Sequence, residues 1–241
     1  MKLWKVFTKD LKSNYGNIKW KIGKWQKHEG KLQICHSGFH ASKRIIDAMQ
    51  YTPAEVIASV EVKGEHVKEA TKECWQEMKI VRTYEWTKED NVSLAIFAAE
   101  LVLCNFEKQY PDDSRPRQTI EAAKNWLKEK NKSAAWSASW DAAWSASSAA
   151  YAWRVWSAEW DTVRSAKAAA DSAGWCAWCA CAVADSAAAN AASAAVGNAA
   201  RSAWNAEGNA ASAEKILDQC EEFILKRLVR NDSIIGGEND K

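Results

Sequence analysis

Between positions 35 and 42 the chain reads Cys35-His36-Ser37-Gly38-Phe39-His40-Ala41-Ser42, which brings a thiol and two imidazoles close together. Imidazoles change charge near neutral pH and serve as acids, bases or metal ligands. A strand ending at Gly38 and handing over to a helix at Ser42 places His36 and His40 near a strand edge, so these two are the candidate catalytic residues. The competing reading makes Phe39 a core anchor and gives His40 a backbone hydrogen bond. Metal binding by Cys35, His36 and His40 lacks a fourth ligand, and neighbours on a strand point to opposite faces. No metal and no cofactor is therefore expected.

Two other strings carry reactive or charged groups. In Cys176-Ala177-Trp178-Cys179-Ala180-Cys181, helical spacing puts Cys176 and Cys179 on one face and Cys181 on another, so three thiols do not converge. Asp112, Asp113, Arg115 and Arg117 surround an expected helix start. There the acids favour the helix N-terminus, and the arginines reach back to Glu107, forward to Glu121, or outward to an acidic partner or phosphate. The seven cysteines are scattered, odd in number and read as reduced.

The elements that position these groups fall into two regions. Residues 131–213 hold 33 alanines and 13 serines in 83 positions, whereas residues 1–88 mix lysines, aromatics and β-branched residues. The sequence predicts an α+β protein: a small N-terminal antiparallel sheet domain over 1–88, an alanine- and tryptophan-rich helical bundle over 89–230, and a flexible tail over 231–241. Expected strands are Lys2 to Phe7, Ile18 to Ile22, Lys31 to Cys35, Val56 to Val62 ending at Gly64, and Met78 to Trp86. A short helix capped by Ser42 runs to Met49 and stops before Pro53.

A longer helix capped by Asp90 runs to Gln109 and ends at Tyr110-Pro111. Pro116 suits the first turn of the next one. Trp136, Trp140 and Trp144 repeat every four residues and share a helical face. Trp153, Trp156 and Trp160 define a second face. Gly174, Gly197 and Gly208 suggest cuts between helices, and Ala210 to Arg230 forms a last helix with Ile216, Leu217, Cys220, Phe223, Ile224, Leu228 and Val229 as its apolar stripe.

The string from Phe106-Glu107 through Pro111-Asp112-Asp113-Ser114-Arg115-Pro116-Arg117 to Ile120-Glu121-Ala122-Ala123 and Trp126 resembles the opening helices of the Ala-rich immunity proteins of bacterial polymorphic toxin systems. With the alanine-rich stretch that follows, the resemblance covers about residues 90–230. It implies a protein partner such as a toxin or defence factor, neutralised by association. Gly38-Phe39-His40-Ala41 and Val60-Glu61-Val62-Lys63-Gly64-Glu65 are similar to uncharacterised domains that precede such helices in phage and bacterial proteins. Gly38-Phe39-His40-Ala41-Ser42 also resembles a strand motif of ADP-ribosyltransferases, which hold NAD against a histidine or arginine with a distant glutamate. The expected first strand carries neither histidine nor arginine, and no glutamate stands out after residue 60.

The chain has 241 residues, with 33 basic and 31 acidic side chains. A net charge of +2 without a run of basic residues gives no reason to expect a nucleic-acid partner. The absence of a long apolar run predicts no membrane partner and a cytoplasmic protein. Stoichiometric binding is the expected function, with Arg115, Arg117, Trp136, Trp140 and Trp144 as candidate contacts. A transferase-like enzyme, a structural or assembly protein and a small-molecule sequestering protein are the alternatives.

Overall fold

The computed structural model describes residues 2–13, 18–51, 54–129, 161 and 182–230. The chain divides into two units, Met1–Thr87 with Ile224–Lys241 and Lys88–Phe223.

The first unit is built on an antiparallel sheet. Strand β1 (Lys2–Phe7) is followed by β2 (Trp25–Lys27), β3 (Phe39–Ala41), a short helix α1 (Ile45–Met49), β4 (Val56–Lys68) and β5 (Glu73–Glu85). β4 lies between β1 and β5, and the outer edge of β5 serves two partners: β2 faces Glu77 to Lys79 and β3 faces Glu73 to Trp75. Just after β3, Ser42 exchanges backbone hydrogen bonds of 2.8 Å each way with Trp4, so the sheet curls until β3 reaches β1.

Five consecutive buried residues, Val56 to Val60, identify β4 as a central strand covered on both faces. Beyond Lys63 its residues are exposed, but β4 stays paired with β5 as far as Lys68, opposite the Glu73–Trp75 stretch that carries β3 on its other edge. One face packs Leu3, Phe7, Trp20, Phe39, Val60, Met78 and Ile80 into a core. Trp20 meets Phe7 and Phe39 edge-on at 5.6 and 5.1 Å between ring centres and donates its indole N–H to Ser13 Oγ.

Several expected elements differ. Residues 18–22 make only single bridges, Lys19 to Lys12 and Ile22 to Ile80, because this segment delivers Trp20 into the core instead of pairing along its length. Residues 31–35 lead into a turn in which the His36 and Ser37 amides both donate to the Gln33 carbonyl. The strand begins only after Gly38, whose φ of +102° and close approach to Cys74 leave no place for a side chain. β4 runs through Gly64, and β5 starts at Glu73 rather than Met78. Ser42 is engaged with Trp4 and caps nothing; α1 follows an extended Arg44 and buries Ile45, Ile46, Ala48 and Met49.

In the second unit, α2 (Lys88–Gln109) starts ahead of Asp90, which sits inside its first turn rather than at the cap. Val92, Ala95, Ala98, Ala99, Val102 and Phe106 are buried along it. α3 (Arg115–Lys128) opens with Pro116 and buries Ile120, Ala123 and Trp126. α4 (Ala182–Glu207) packs on α2, and Ala192, Ala195, Ala199 and Ala203 are all buried because a methyl side chain lets helix axes approach closely. Asn105 Nδ2 on α2 donates to Ser202 Oγ on α4 at 2.8 Å. α4 passes through Gly197 without a break and ends at Gly208, whose φ is +69° and whose amide donates to the Trp204 carbonyl. Asn209 Oδ1 then accepts from the Ser212 amide, capping α5 (Ala210–Arg230).

Along α5, Ile216, Cys220, Ile224 and Leu228 are buried, and Phe223 stacks on Phe97 of α2 with ring centres 4.6 Å apart. Val229, expected in the same stripe, is exposed. Expectations for Pro53, Trp153, Trp156, Trp160, Gly174 and residues 231–241 lie outside the described residues.

Gly38 and Gly23 separate steric from conformational cost. A Cβ at Gly38 meets Cys74 Sγ at 2.5 Å and Leu32 Cδ2 at 2.8 Å, whereas at Gly23, also left-handed, nothing lies within 4 Å. Gly38→Ala is expected to destabilise the protein by about 2–4 kcal/mol and Gly23→Ala by about 1 kcal/mol, measured by urea denaturation.

Candidate functional site

The turn at 33–38 and the strand that follows it gather the reactive side chains of the first unit. On β3, Phe39 and Ala41 are buried toward the core, which puts His40 on the opposite face, beside its cross-strand partner Cys74. His40 Nε2 accepts the backbone N–H of Cys35 at 3.0 Å, so the ring is neutral with its proton on Nδ1. Burial, followed by the positive charges of Lys5 and Lys72, pushes the His40 imidazole down to about 4. His36 is exposed in the turn, and its amide bonds back to Gln33. The bond that fixes His40 is therefore made with Cys35, rather than with His36 or a backbone carbonyl.

Three residues that the sequence reading passed over complete the cluster. Lys5 lies on the same side of β1 as Leu3 and Phe7, where an apolar residue fits the alternation, and its Nζ donates to the His40 carbonyl at 3.0 Å. Burial lowers its pKa to about 8, and Cys74 opposes the shift. Lys72 donates from Nζ to Cys35 Sγ at 2.7 Å, stands 3.7 Å from Glu69 and lies over the Tyr51 ring at 4.5 Å. The bond to Cys35 is the largest of the influences that raise its pKa. Cys74 donates its thiol to the Ser37 carbonyl at 3.0 Å, and burial pushes that thiol up. An i, i+2 pair such as Lys72 and Cys74 was the available sequence signal, since alternate strand residues share a face.

This arrangement offers thiols and amines around an imidazole whose acceptor nitrogen is already used. Among the described residues, no group of three or more histidines, cysteines or acids is placed to hold a metal ion.

The sequence singled out no glutamate, but the fold does. Glu73 is buried opposite Ala41, accepts from Trp75 Nε1 at 3.0 Å through Oε2, and lies 3.6 Å from Lys68 and 3.9 Å from Lys43 through Oε1. Because Glu73 pairs with Ala41 and Cys74 with His40, the register puts Glu73 and His40 on opposite faces of the sheet. They do not form a histidine–glutamate pair.

In the second unit both candidate arginines are paired with acids. Arg115 Nε donates to both carboxylate oxygens of Asp113, at 2.8 and 3.1 Å, and Asp113 also accepts the Arg115 amide. Arg117 grips Glu107 with two bonds of 2.7 Å, joining α3 to the end of α2. The guanidinium bonds hold the Asp113 carboxyl below its ordinary range. Trp136, Trp140 and Trp144, like Cys176, Cys179 and Cys181, lie outside the described residues. Trp204 on α4 was not picked out as a contact residue, yet it is 50% exposed, while Trp126 on α3 is buried.

The His40 bond makes stability depend on pH in one direction. Between its ordinary value of 6.5 and about 4, the unfolded chain takes up a proton that the folded site refuses. The stability gained from keeping His40 neutral is therefore complete above 6.5 and lost as pH falls through that window. Urea denaturation at about pH 7 and about pH 4.5 should show a larger loss for the native chain than for His40→Gln.

Residues 1–90 match a family described as Domain of unknown function (DUF7666). No curated protein and no solved structure matches the chain.

Proposed function

We propose that the protein is a binding protein that neutralises a protein partner, a toxin or a defence factor, by stoichiometric association through its helical region. The observation that carries this reading is Trp204, an indole half open to solvent on a helix whose other packed positions are mostly alanine. Surface tryptophan flanked by arginine is the kind of anchor that dominates protein interfaces, and Arg201 lies one turn earlier on the same helix. The Ala-rich immunity proteins that the 106–126 string resembles supply the partner class.

Trp136, Trp140 and Trp144 are further proposed anchors. Arg115 and Arg117 would contribute with their carboxylate partners attached, as a clasp that holds the α2–α3 loop in shape. The opposite faces taken by His40 and Glu73 favour this reading over a transferase in the N-terminal unit.

Affinity capture from toxin-expressing bacterial cells, followed by titration with the purified partner, tests the proposal. Binding should saturate at a fixed ratio, and Trp204→Ala should weaken it about tenfold or more while leaving the urea midpoint unchanged. Turnover of the partner by substoichiometric protein, or NAD consumption by the purified chain, would overturn it.

A further inference from the structure

Charge is divided unevenly along the chain: residues 1–87 carry 16 lysines and arginines against 10 aspartates and glutamates, while residues 88–241 carry 17 against 21. The sheet register collects part of that basic excess on the side away from the core. Lys2, Glu61, Lys79 and Trp25 form one row across β1, β4, β5 and β2, and Lys63, Glu77 and Lys27 form the next. The Lys63 and Lys79 ammonium groups stand 4.4 and 5.1 Å from the centre of the half-buried Trp25 ring. Each also reaches an acid, Glu77 at 3.1 Å and Glu61 at 2.7 Å. Further along the sheet, Lys2 lies over Trp4 at 4.7 Å and Arg82 over Tyr84 at 5.4 Å. Lys21 and Lys24, in the loop that enters β2, are exposed and have no acidic partner among the described residues. The Gly23 amide ties that loop to the Ile80 carbonyl of β5 at 2.9 Å.

From this juxtaposition we propose that the outer face of the sheet binds a single-stranded nucleic acid, with Trp25 as the stacking platform and Lys2, Lys27, Lys63 and Lys79 as phosphate contacts. This surface is separate from the helical residues assigned to a protein partner. An indole set between two ammonium groups complements what such a strand alternates, an unpaired base and a phosphate. Solvent-open ion pairs such as Lys63 with Glu77 are weak and exchange readily, so a phosphate draws an ammonium off the ring and leaves the ring face to a base. Four strands spaced about 4.8 Å apart give the row from Lys2 to Trp25 a width of about 14 Å, room for a short run of nucleotides. A duplex keeps its base faces stacked inside and has no use for Trp25. An acidic peptide engages the lysines and leaves the indole without a role.

Fluorescein-labelled oligo-dT and oligo-U strands of about twelve nucleotides are titrated with the full chain at about 50 mM salt, and binding is read by anisotropy. Binding of either strand should saturate, and the tighter of the two identifies the favoured sugar. Affinity should fall about tenfold or more at about 200 mM salt, as counterion release loses its advantage, and about tenfold in Trp25→Leu. Lys27→Glu, a change at an exposed side chain, should weaken binding similarly, while Lys215→Gln on the exposed side of α5 leaves it unchanged. Should Trp25→Leu shift the urea midpoint, Lys27→Glu and a duplex of the same length decide the matter. No binding to either strand, equal affinity for the duplex, or competition by polyglutamate as effective as by unlabelled strand would overturn the proposal. So would unchanged affinity in a natively folded Trp25→Leu or Lys27→Glu chain.

Discussion

β5 has thirteen residues, and the backbone groups along its outer edge need partners wherever that edge is covered. Two strands of three residues each, β2 and β3, supply them, separated in sequence by the turn at 33–38. The register this imposes is the constraint on which the site depends. With Phe39 opposite Trp75, His40 must stand opposite Cys74 and Ala41 opposite Glu73. A slip of one residue would reverse every one of these faces, sending Phe39 out of the core. The core contact between Phe39 and Trp20 is therefore what holds His40 against the Cys35 amide.

The electrostatics of the cluster follow from that packing. Lys5 occupies a position on β1 that packing would give to an apolar residue, and burial makes its charged form costly. One bond, to the His40 carbonyl, offsets part of that cost. Burial, and after it the same cation and Lys72, disfavours a positive charge on His40, which keeps the imidazole neutral and able to accept from Cys35. The neutral imidazole keeps its bond to the Cys35 amide, and the backbone of the turn is fixed as a consequence. Gly38 completes the arrangement by letting β3 approach the Cys74 sulfur.

In the helical unit a different device does the positioning. Alanine supplies close approach between α2 and α4, and Asn105 pairs with Ser202 across the interface. The junction between α4 and α5 is specified locally: Gly208 takes the left-handed conformation that ends one helix, and Asn209 caps the next through the Ser212 amide. The two clasps, Arg115 with Asp113 and Arg117 with Glu107, fix the loop between α2 and α3 in the same local manner.

Elements set by short-range chemistry were legible in the sequence. The helix that ends at Tyr110-Pro111, the proline in the first turn of α3, the last helix and the extent of β1 all depend on neighbours within a turn or two, whereas β1 buries both of its faces and does not alternate. Composition by itself also separated a mixed, lysine-rich stretch from an alanine-rich one. What sequence order left undecided was long-range. Residues 18–22 alternate like a strand but serve to deliver Trp20, and residues 31–35 turn because Gly38 must meet Cys74, thirty-six positions later in the chain. Likewise, nothing near Cys35 announces Lys72, and nothing near Ala41 announces Glu73. Those encounters exist because the curled sheet brings β1, β3 and β5 together. Side-chain type and local periodicity determined which groups were available, while the register across β5 decided which of them touch, since only pairing between distant strands converts an odd or even position into a face.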